Sequence, residues 1–174
     1  MKIQKSYKFR FYPNAQQAQQ LVREFGCARW VWNRALIERG YAFKEWGVSL
    51  NAAHDIGSNI TQYKKKEYPW LSEATAGVLT QKLMDQDKAF DNFFKGRASF
   101  PKFKKKSHAQ SIRYQLDQRI VLNNYHAGEL LKLPKLGELT VKWSPVPGGI
   151  PKMVTVSQSA ASILSVLCAR SSRN

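Results

Sequence analysis

The sequence predicts an α+β fold, in which an N-terminal strand and a block of three helices precede a small antiparallel β-barrel. The spacing of apolar residues supports this order: it is two in residues 1–12 and three to four from about residue 14 to residue 96. After Gly96 the pattern changes, because prolines separate segments that are too short for long helices. These prolines are Pro101, Pro134, Pro145, Pro147 and Pro151.

The first strand is expected to span Met1 to Tyr12 and to have one apolar and one basic face. The apolar face carries Ile3, Tyr7, Phe9 and Phe11, and the other face carries Gln4, Ser6, Lys8 and Arg10. Since an isolated strand would leave its backbone N–H and C=O groups unpaired, we expect it to pair with the later sheet.

The first helix is predicted to begin at Asn14, whose side chain can accept a backbone N–H of the first turn. Gly26 and Gly40 each cost roughly 1 kcal/mol relative to alanine inside a helix, so either could bend or break it. Gly47 is expected to end the helix. The residues predicted to face inward recur at steps of three and four: Leu21, Phe25, Ala28, Trp32, Ala35, Arg39 and Phe43.

Two further helices are predicted before Gly96. A weaker one runs from Asn51 to Lys66 and is broken by the segment Tyr68–Leu71, which contains a proline. Ser72 is predicted to cap the third helix, and Gly96 to end it. The apolar face of the third helix carries Val78, Leu79, Leu83, Ala89, Phe90, Phe93 and Phe94.

Five short strands with turn signals between them indicate the small barrel or sheet. They are predicted at Ser111 to Tyr114, Arg119 to Leu122, Leu130 to Leu133, Glu138 to Trp143 and Lys152 to Val156. The predicted domains are residues 1–13 as the first strand of the β module, 14–96 as the helical domain, 97–160 as the β module and 161–174 as a divergent tail. We expect the barrel to be incomplete at the C-terminus.

The charge of the chain favours a polyanionic partner, because 28 lysines and arginines oppose 12 acidic residues and give a formal net charge of +16. Nucleic acid is preferred to membrane, since the longest apolar run is far shorter than the roughly 20 residues that span a bilayer. The N-terminus has no apolar signal segment, so we expect a cytoplasmic protein. No small-molecule substrate and no cofactor are expected, and the oligomeric state stays open.

Three basic patches are the candidate nucleic-acid-binding sites. The strongest lies between Asp91 and Asp117, where no acidic residue occurs and aromatic residues alternate with lysines that can meet phosphates. The others are the polar face of the first strand and a set on the first two helices; a solvated surface is the alternative for all three. The candidates are Lys8, Arg10, Arg29, Asn33, Arg34, Lys64, Lys65, Lys66, Lys95, Arg97, Lys102, Lys104, Lys105, Lys106 and Arg113.

Asn33 and the tryptophans each have two interpretations. The Asn33 amide could make paired hydrogen bonds to adenine, or it could satisfy backbone groups inside the protein. The tryptophans could stack on bases, but four of the five lie in or beside the helical block at spacings that favour a core position. They are Trp30, Trp32, Trp46, Trp70 and Trp143.

No catalytic pattern is recognised in this sequence. The acidic residues Asp55, Asp85, Asp87, Asp91 and Asp117 lack the partners that two-metal chemistry needs. Asp87 and Asp91 share a helical face and are expected to balance Lys88 and Lys95. Cys27 and Cys168 are expected to be reduced, structural thiols, and with His54, His108 and His126 they have no zinc-site spacing.

Six blocks of the sequence carry a family likeness. They are KSYKFRFYPN at residues 5–14, GCARWVWNRAL at 26–36, YPWL at 68–71, KAFDNFFKG at 88–96, FPKFKKK at 100–106 and LPKLG at 133–137. In this order they resemble TnpB, the OrfB protein of insertion sequences. The resemblance implies an OrfB-type helix-turn-helix domain at residues 14–96, and a wedge β-barrel formed by the first strand and residues 97–160.

Complete members of that family continue into a RuvC-like nuclease and a zinc ribbon, and they cut DNA under RNA guidance. The resemblance therefore implies that the basic surfaces hold element RNA and DNA. After Gln158 this sequence departs from the family pattern, and we expect a frameshifted or truncated element without its own nuclease site. A marginally folded remnant without activity is the alternative.

Overall fold

The computed structural model describes residues 2–115, 130–140, 153–159 and 164–173. Its contacts divide the chain into two compact units, Met1–Val22 with Ser107–Asn174, and Arg23–Lys106. The first unit contains the strands and the second contains most of the helical residues. The predicted α+β class is confirmed, whereas the predicted domain boundaries stay a prediction.

Six strands lie in the described part of the first unit. They are β1 (Lys2–Arg10), β2 (Gln110–Gln115), β3 (Leu130–Leu133), β4 (Gly137–Thr140), β5 (Met153–Gln158) and β6 (Leu164–Arg173). Four of them form an antiparallel sheet in the order β1-β6-β5-β2, and β3 pairs with β4 in a separate hairpin. The predicted strand at Arg119 to Leu122 and the end of the one at Glu138 to Trp143 lie outside the described residues.

Alternation of apolar and polar residues places one face of this sheet in the core. Ile112 lies opposite Val156, and Tyr114 opposite Val154, and all four are buried. Burying such cross-strand pairs stabilises an antiparallel sheet. On β1, Phe9 is buried while Lys8 and Arg10 are exposed, as the alternation predicts.

Strand β6 was not predicted, since residues 161–174 were expected only as a divergent tail. Residues Leu164–Arg173 form β6, the strand between β1 and β5. Val166 of β6 lies opposite Phe9 of β1 on one side and opposite Val156 of β5 on the other. The first strand thus pairs with the later sheet, as expected, but its partner comes from the predicted tail. Within the described residues the sheet is open, with β1 and β2 at its edges, so the predicted barrel is corrected to an open sheet there.

The β3–β4 hairpin is anchored by Gln17. The Gln17 side-chain amide donates to the carbonyl oxygens of Leu136 at 3.2 Å and Glu138 at 2.7 Å. The turn needs two residues with positive φ, Lys135 at 61° and Gly137 at 72°. Glycine tolerates this backbone conformation because it has no Cβ.

Helix α1 (Ala15–Trp46) begins with the predicted cap. The Asn14 side chain accepts the Gln17 N–H at 2.9 Å, and the Gln17 side chain accepts the Asn14 N–H at 3.0 Å. Two backbone donors that a helix start leaves unpaired are thereby satisfied. The helix continues through Gly26 and Gly40 without a break and ends before Gly47, whose φ of +65° stops it.

The predicted second helix is divided into shorter turns. A π-helical turn at Ala52–Ile56, helix α2 (Gly57–Gln62) and a second π-helical turn at Tyr63–Glu67 follow one another, and a 3₁₀ turn occupies Pro69–Glu73. Helix α3 (Ala76–Phe94) then packs against them. The core of this unit is formed by Cys27, Val31, Ala35, Ala52, Ile56, Ile60, Leu71, Ala74, Leu79 and Leu83.

Thr75, and not Ser72, precedes helix α3, so the predicted cap was wrong. Ser72 lies in the 3₁₀ turn, where its hydroxyl donates to the Pro69 carbonyl at 2.6 Å. The Thr75 N–H and hydroxyl both donate to the carboxylate of Glu24, which is fully buried. Because the Thr75 hydroxyl donates to Glu24, it does not cap the first turn of α3. Gly96 ends the helix as predicted, with a φ of +66°.

Asp87 connects α3 with α1 and with the first π-helical turn. Its carboxylate accepts from the Arg39 guanidinium and from the backbone N–H groups of Ala52 at 2.7 Å and Ala53 at 2.9 Å. The expectation that Asp87 balances Lys88 was therefore wrong, because Asp87 pairs with an arginine on another helix. The companion pair is confirmed, since Lys95 lies 3.6 Å from Asp91.

Candidate nucleic-acid interface

The lysine-rich segment between Lys102 and Lys106, called the basic loop below, is held on helix α1 by three hydrogen bonds. The Trp32 indole Nε1 donates to the Lys102 carbonyl at 3.0 Å. The Asn33 amide donates to the Lys104 carbonyl at 3.0 Å and accepts the Lys104 N–H at 2.8 Å. The loop has no regular secondary structure of its own, so these bonds from consecutive helical residues determine where its lysines lie.

Asn33 thus acts on backbone, which was one of its two predicted roles. Its amide uses one donor and one acceptor on the same residue, in the paired geometry that it would otherwise offer to adenine. The structure favours the structural role, although Asn33 also lines a groove on the same helix. Its position among the candidate residues is therefore that of an anchor for the basic loop.

The lysines of the basic loop have different surroundings. The Lys104 ammonium lies 4.4 Å from the centre of the Trp32 ring, a cation–π contact that holds this side chain against the helix. Lys102, Lys105 and Lys106 are exposed. Pro101, which directly precedes Lys102, is buried. Three exposed lysines therefore lie on a segment with a defined position.

Asn33→Ala is expected to release the basic loop while leaving helix α1 intact, because both hydrogen bonds to Lys104 are lost. Hydrogen exchange of the Lys104 amide should accelerate at least several-fold, and trypsin should cleave within the loop sooner. Gln19→Ala is the matched control, since Gln19 lies exposed on the same helix. Unchanged protection of Lys104 in Asn33→Ala would show that the loop is held by other contacts.

Arg29, Asn33 and Arg34 lie together on one side of α1 and line a groove of about 460 Å³. The Arg34 guanidinium donates to Glu38 at 2.7 Å and to the Tyr63 hydroxyl at 3.4 Å, and its carbon lies 5.3 Å from the centre of the Tyr63 ring. These hydrogen bonds raise the pKa of Arg34, so its positive charge is permanent. Burial, with the hydrogen bond to Glu38, raises the pKa of Tyr63 as well.

Aromatic residues from α1 and from the segment Tyr68–Trp70 also line the groove. The Trp30 ring centre lies 4.7 Å from that of Tyr68 and 5.6 Å from that of Trp70. Trp30 is half-buried, whereas Trp70 is 39% exposed and Trp46 67% exposed. The predicted core position is thus confirmed for Trp32, which is 7% exposed, but is wrong for Trp46 and Trp70. Trp143 lies outside the described residues.

The exposure of Trp70 was missed because the segment Tyr68–Leu71 was interpreted as a helix break with a core tryptophan. In the structure Leu71 is fully buried and anchors the segment, which leaves Trp70 at the surface. The sequence signal that could have indicated this exposure is the adjacency of two apolar residues, Trp70 and Leu71, in a short turn. Neighbouring side chains in a 3₁₀ turn point in different directions, so both cannot be buried in the same core.

The remaining candidate residues are distributed over both units. Lys8 and Arg10 on β1 and Arg113 on β2 belong to the first unit. In the second unit, Lys95 and Arg97 are exposed just after the end of α3. Lys66 is exposed in the second π-helical turn. Nothing is described of the Lys64 and Lys65 side chains, whose backbone lies in the second π-helical turn.

Clusters of metal-ligating side chains do not occur in the described ranges. Across residues 2–115, 130–140, 153–159 and 164–173, the structure brings no three histidine, cysteine, aspartate or glutamate side chains together as a metal site. No helix in these ranges combines the length and apolarity that crossing a bilayer requires. Cys27 is a buried thiol in the core of the second unit.

Known proteins similar to this chain define its family. The family model of the OrfB IS605 helix-turn-helix domain matches residues 1–47, which in this structure comprise a strand and one continuous helix. A Streptomyces pristinaespiralis protein named as a putative RNA-guided DNA endonuclease is 33% identical over 95% of this chain and 42% of its own length. The putative RNA-guided DNA endonuclease InsQ of Escherichia coli K12 is 32% identical over 91% of this chain and 39% of its own length.

Among solved structures, the Cas12f1 chain in a cryo-EM structure of its complex with sgRNA and target DNA is 17% identical, with a TM-score of 0.41. That alignment covers 99% of this chain and 49% of the Cas12f1 chain. The chain spans about two fifths of the length of the two curated relatives. From the sequence matches over nearly its whole length, and from the helix-turn-helix match at its N-terminus, the chain belongs to the TnpB (OrfB) family of insertion-sequence proteins.

Proposed function

We propose that this chain is a nucleic-acid-binding module of an insertion-sequence protein, which holds element RNA or DNA chiefly by its phosphates. The observation that carries the proposal is the basic loop, whose exposed Lys102, Lys105 and Lys106 are positioned by Trp32 and Asn33. Lysines on a segment of defined position can meet successive phosphates without the full entropic cost of ordering a free loop.

The overall charge supports the same conclusion. A formal net charge of +16 attracts any polyanion, and release of the counterions that surround nucleic acid then favours binding. The other candidate residues, Lys8, Arg10 and Arg113 in the first unit and Lys95 and Arg97 at the end of α3, would contribute further phosphate contacts.

We further propose that the module binds without contributing a nuclease site of its own. Three of its described carboxylates take structural partners: Asp87 accepts from Arg39, Glu24 from Thr75, and Glu38 from Arg34. A two-metal nuclease instead needs carboxylates that converge on the ions. The endonuclease activity in the names of the longer relatives would then depend on parts of those proteins that this chain does not match.

A salt series tests the proposal. Full-length chain is titrated with a structured RNA from the flanking element and with a scrambled RNA of equal length, at salt concentrations on either side of the physiological value. We expect log K to fall linearly with log salt, at a slope of about −3 or steeper if roughly four or more phosphates are contacted. The element RNA should bind more tightly at physiological salt.

Two outcomes would count against a specific module. Equal, steeply salt-dependent binding to both RNAs would indicate a basic protein without a cognate partner. Absence of binding at physiological salt would overturn the proposal altogether. Cleavage of DNA by this chain with magnesium would overturn the proposed lack of a nuclease site.

A further inference from the structure

We propose that the groove between helix α1 and the segment Tyr68–Trp70 receives one unpaired base of a single-stranded nucleic acid, which stacks against Trp70. This inference rests on the proposed function and adds a stacking contact to a base, whereas the basic loop meets phosphates. The juxtaposition that carries it is a surface tryptophan in a groove lined by two arginines and next to the basic loop.

The groove is large enough to receive one base. Its volume of about 460 Å³ is within the roughly 300–1,000 Å³ of small-ligand sites. Trp30, Tyr68 and Trp70 contact one another at steep angles, with planes inclined by 84° between Trp30 and Trp70 and by 70° between Tyr68 and Trp70. Such edge-to-face packing fixes the rings in place, while the 39% exposure of Trp70 leaves part of its surface available.

The backbone of Trp70 is anchored to the core. The next residue, Leu71, is fully buried in the core, and the Cys27 thiol lies 3.8 Å from the Trp70 carbonyl oxygen. An aromatic side chain that is positioned before binding loses little conformational entropy when a base stacks on it. These are the properties of the stacking platforms that bind single strands without strong sequence preference.

The charge of the groove lining favours an anionic ligand over an uncharged flat one. Of the described residues that line the groove, none is acidic; Arg29 and Arg34 are basic, and Arg34 is paired with Glu38 at 2.7 Å. Asn33 also lines the groove, and its amide is bonded to Lys104 of the basic loop. The ring centre of Tyr63 lies 6.1 Å from that of Trp30, and Tyr63 directly precedes the lysines at residues 64–66 in the sequence. Basic segments therefore adjoin the groove and could contact the phosphates on either side of a bound base.

The experiment compares Trp70 with an exposed tryptophan outside the groove. Full-length wild type, Trp70→Ala, Trp70→Leu and Trp46→Ala are titrated with a short oligouridine RNA, with oligothymidine DNA of the same length, and with a DNA strand of abasic sites. We expect Trp70→Ala to weaken binding of the base-carrying strands by about 5- to 100-fold, with no change in the salt slope. Trp46→Ala should bind like wild type, and all four proteins should bind the abasic strand equally.

Trp70→Leu separates stacking from folding, because leucine retains apolar bulk but has no flat ring. We expect it to bind as weakly as Trp70→Ala while its thermal unfolding matches that of wild type. Wild-type affinity in Trp70→Leu would overturn the proposal that a base stacks on Trp70, and so would equal affinities of Trp70→Ala and Trp46→Ala for the base-carrying strands. Either result would leave the proposed phosphate binding intact. A Trp70→Ala chain with unchanged affinity but altered oligomeric state would assign the groove to a second copy of the chain. Failure of wild type to bind any strand would overturn the proposed function as well.

Discussion

Asp87→Ala is expected to destabilise the helical unit by about 3 kcal/mol, because it removes the acceptor shared by three donors from two other elements. The Arg39 side chain is only 10% exposed, and its guanidinium lies 4.2 Å from the centre of the Phe90 ring. Burial lowers the pKa of Arg39, and the charge of Asp87 opposes that shift. Without Asp87 the charge of Arg39 and the N–H groups of Ala52 and Ala53 lose their partner.

Urea unfolding followed by far-ultraviolet circular dichroism measures this effect. Asp91→Ala is the matched control, since Asp91 lies one turn later on α3, and its pair with Lys95 is exposed on both sides. An exposed pair contributes at most about 1 kcal/mol. Equal midpoints for the two variants would contradict the role of Asp87. A wild-type curve without a cooperative transition would instead favour the marginally folded remnant.

Replacing Lys102, Lys105 and Lys106 together by alanine is expected to weaken RNA binding by about tenfold or more at physiological salt. Each lost phosphate contact to a single strand should make the slope of log K against log salt shallower by about 0.7, so the change should approach roughly 2. Lys104 is left in place, because its cation–π contact and backbone bonds also hold the loop. Titrations over a series of salt concentrations provide both quantities.

A variant with Lys44, Lys88 and Lys132 replaced by alanine is the control for charge. All three are exposed and lie outside the candidate sites, so the net charge falls by the same amount. If both triple variants lose affinity equally, binding depends on net charge alone and the basic loop has no special role. A larger loss in the loop variant supports phosphate contacts at this segment.

Local sequence patterns predicted the elements that depend on neighbouring residues. The Asn14 cap and the helix ends at Gly47 and Gly96 were predicted correctly, because capping groups and positive φ values belong to the residues themselves. The alternation in β1 likewise predicted the burial of Phe9 and the exposure of its basic neighbour Arg10. The basic loop could be found from composition, since no acidic residue interrupts it.

Predictions from local spacing failed where a residue far away in the chain is the hydrogen-bond or ion-pair partner. Asp87 pairs with Arg39 across the unit, and Glu24 on α1 takes the donors of Thr75, so local spacing pointed to the wrong partners. Residues Leu164–Arg173 form a strand because β1 and β5 both offer unpaired backbone groups, which no pattern within the segment reveals.

Composition and the spacing of apolar residues were sufficient to predict the α+β class, the strongly basic charge and the segment in which lysines concentrate. The anchoring of the basic loop by Asn33 and the position of Trp70 at the surface of a groove are visible only in the three-dimensional structure. Both depend on contacts between residues far apart in the chain, 71 positions in the case of Asn33 and Lys104. Such contacts depend on how the whole unit packs, and local secondary-structure propensities carry no information about that packing.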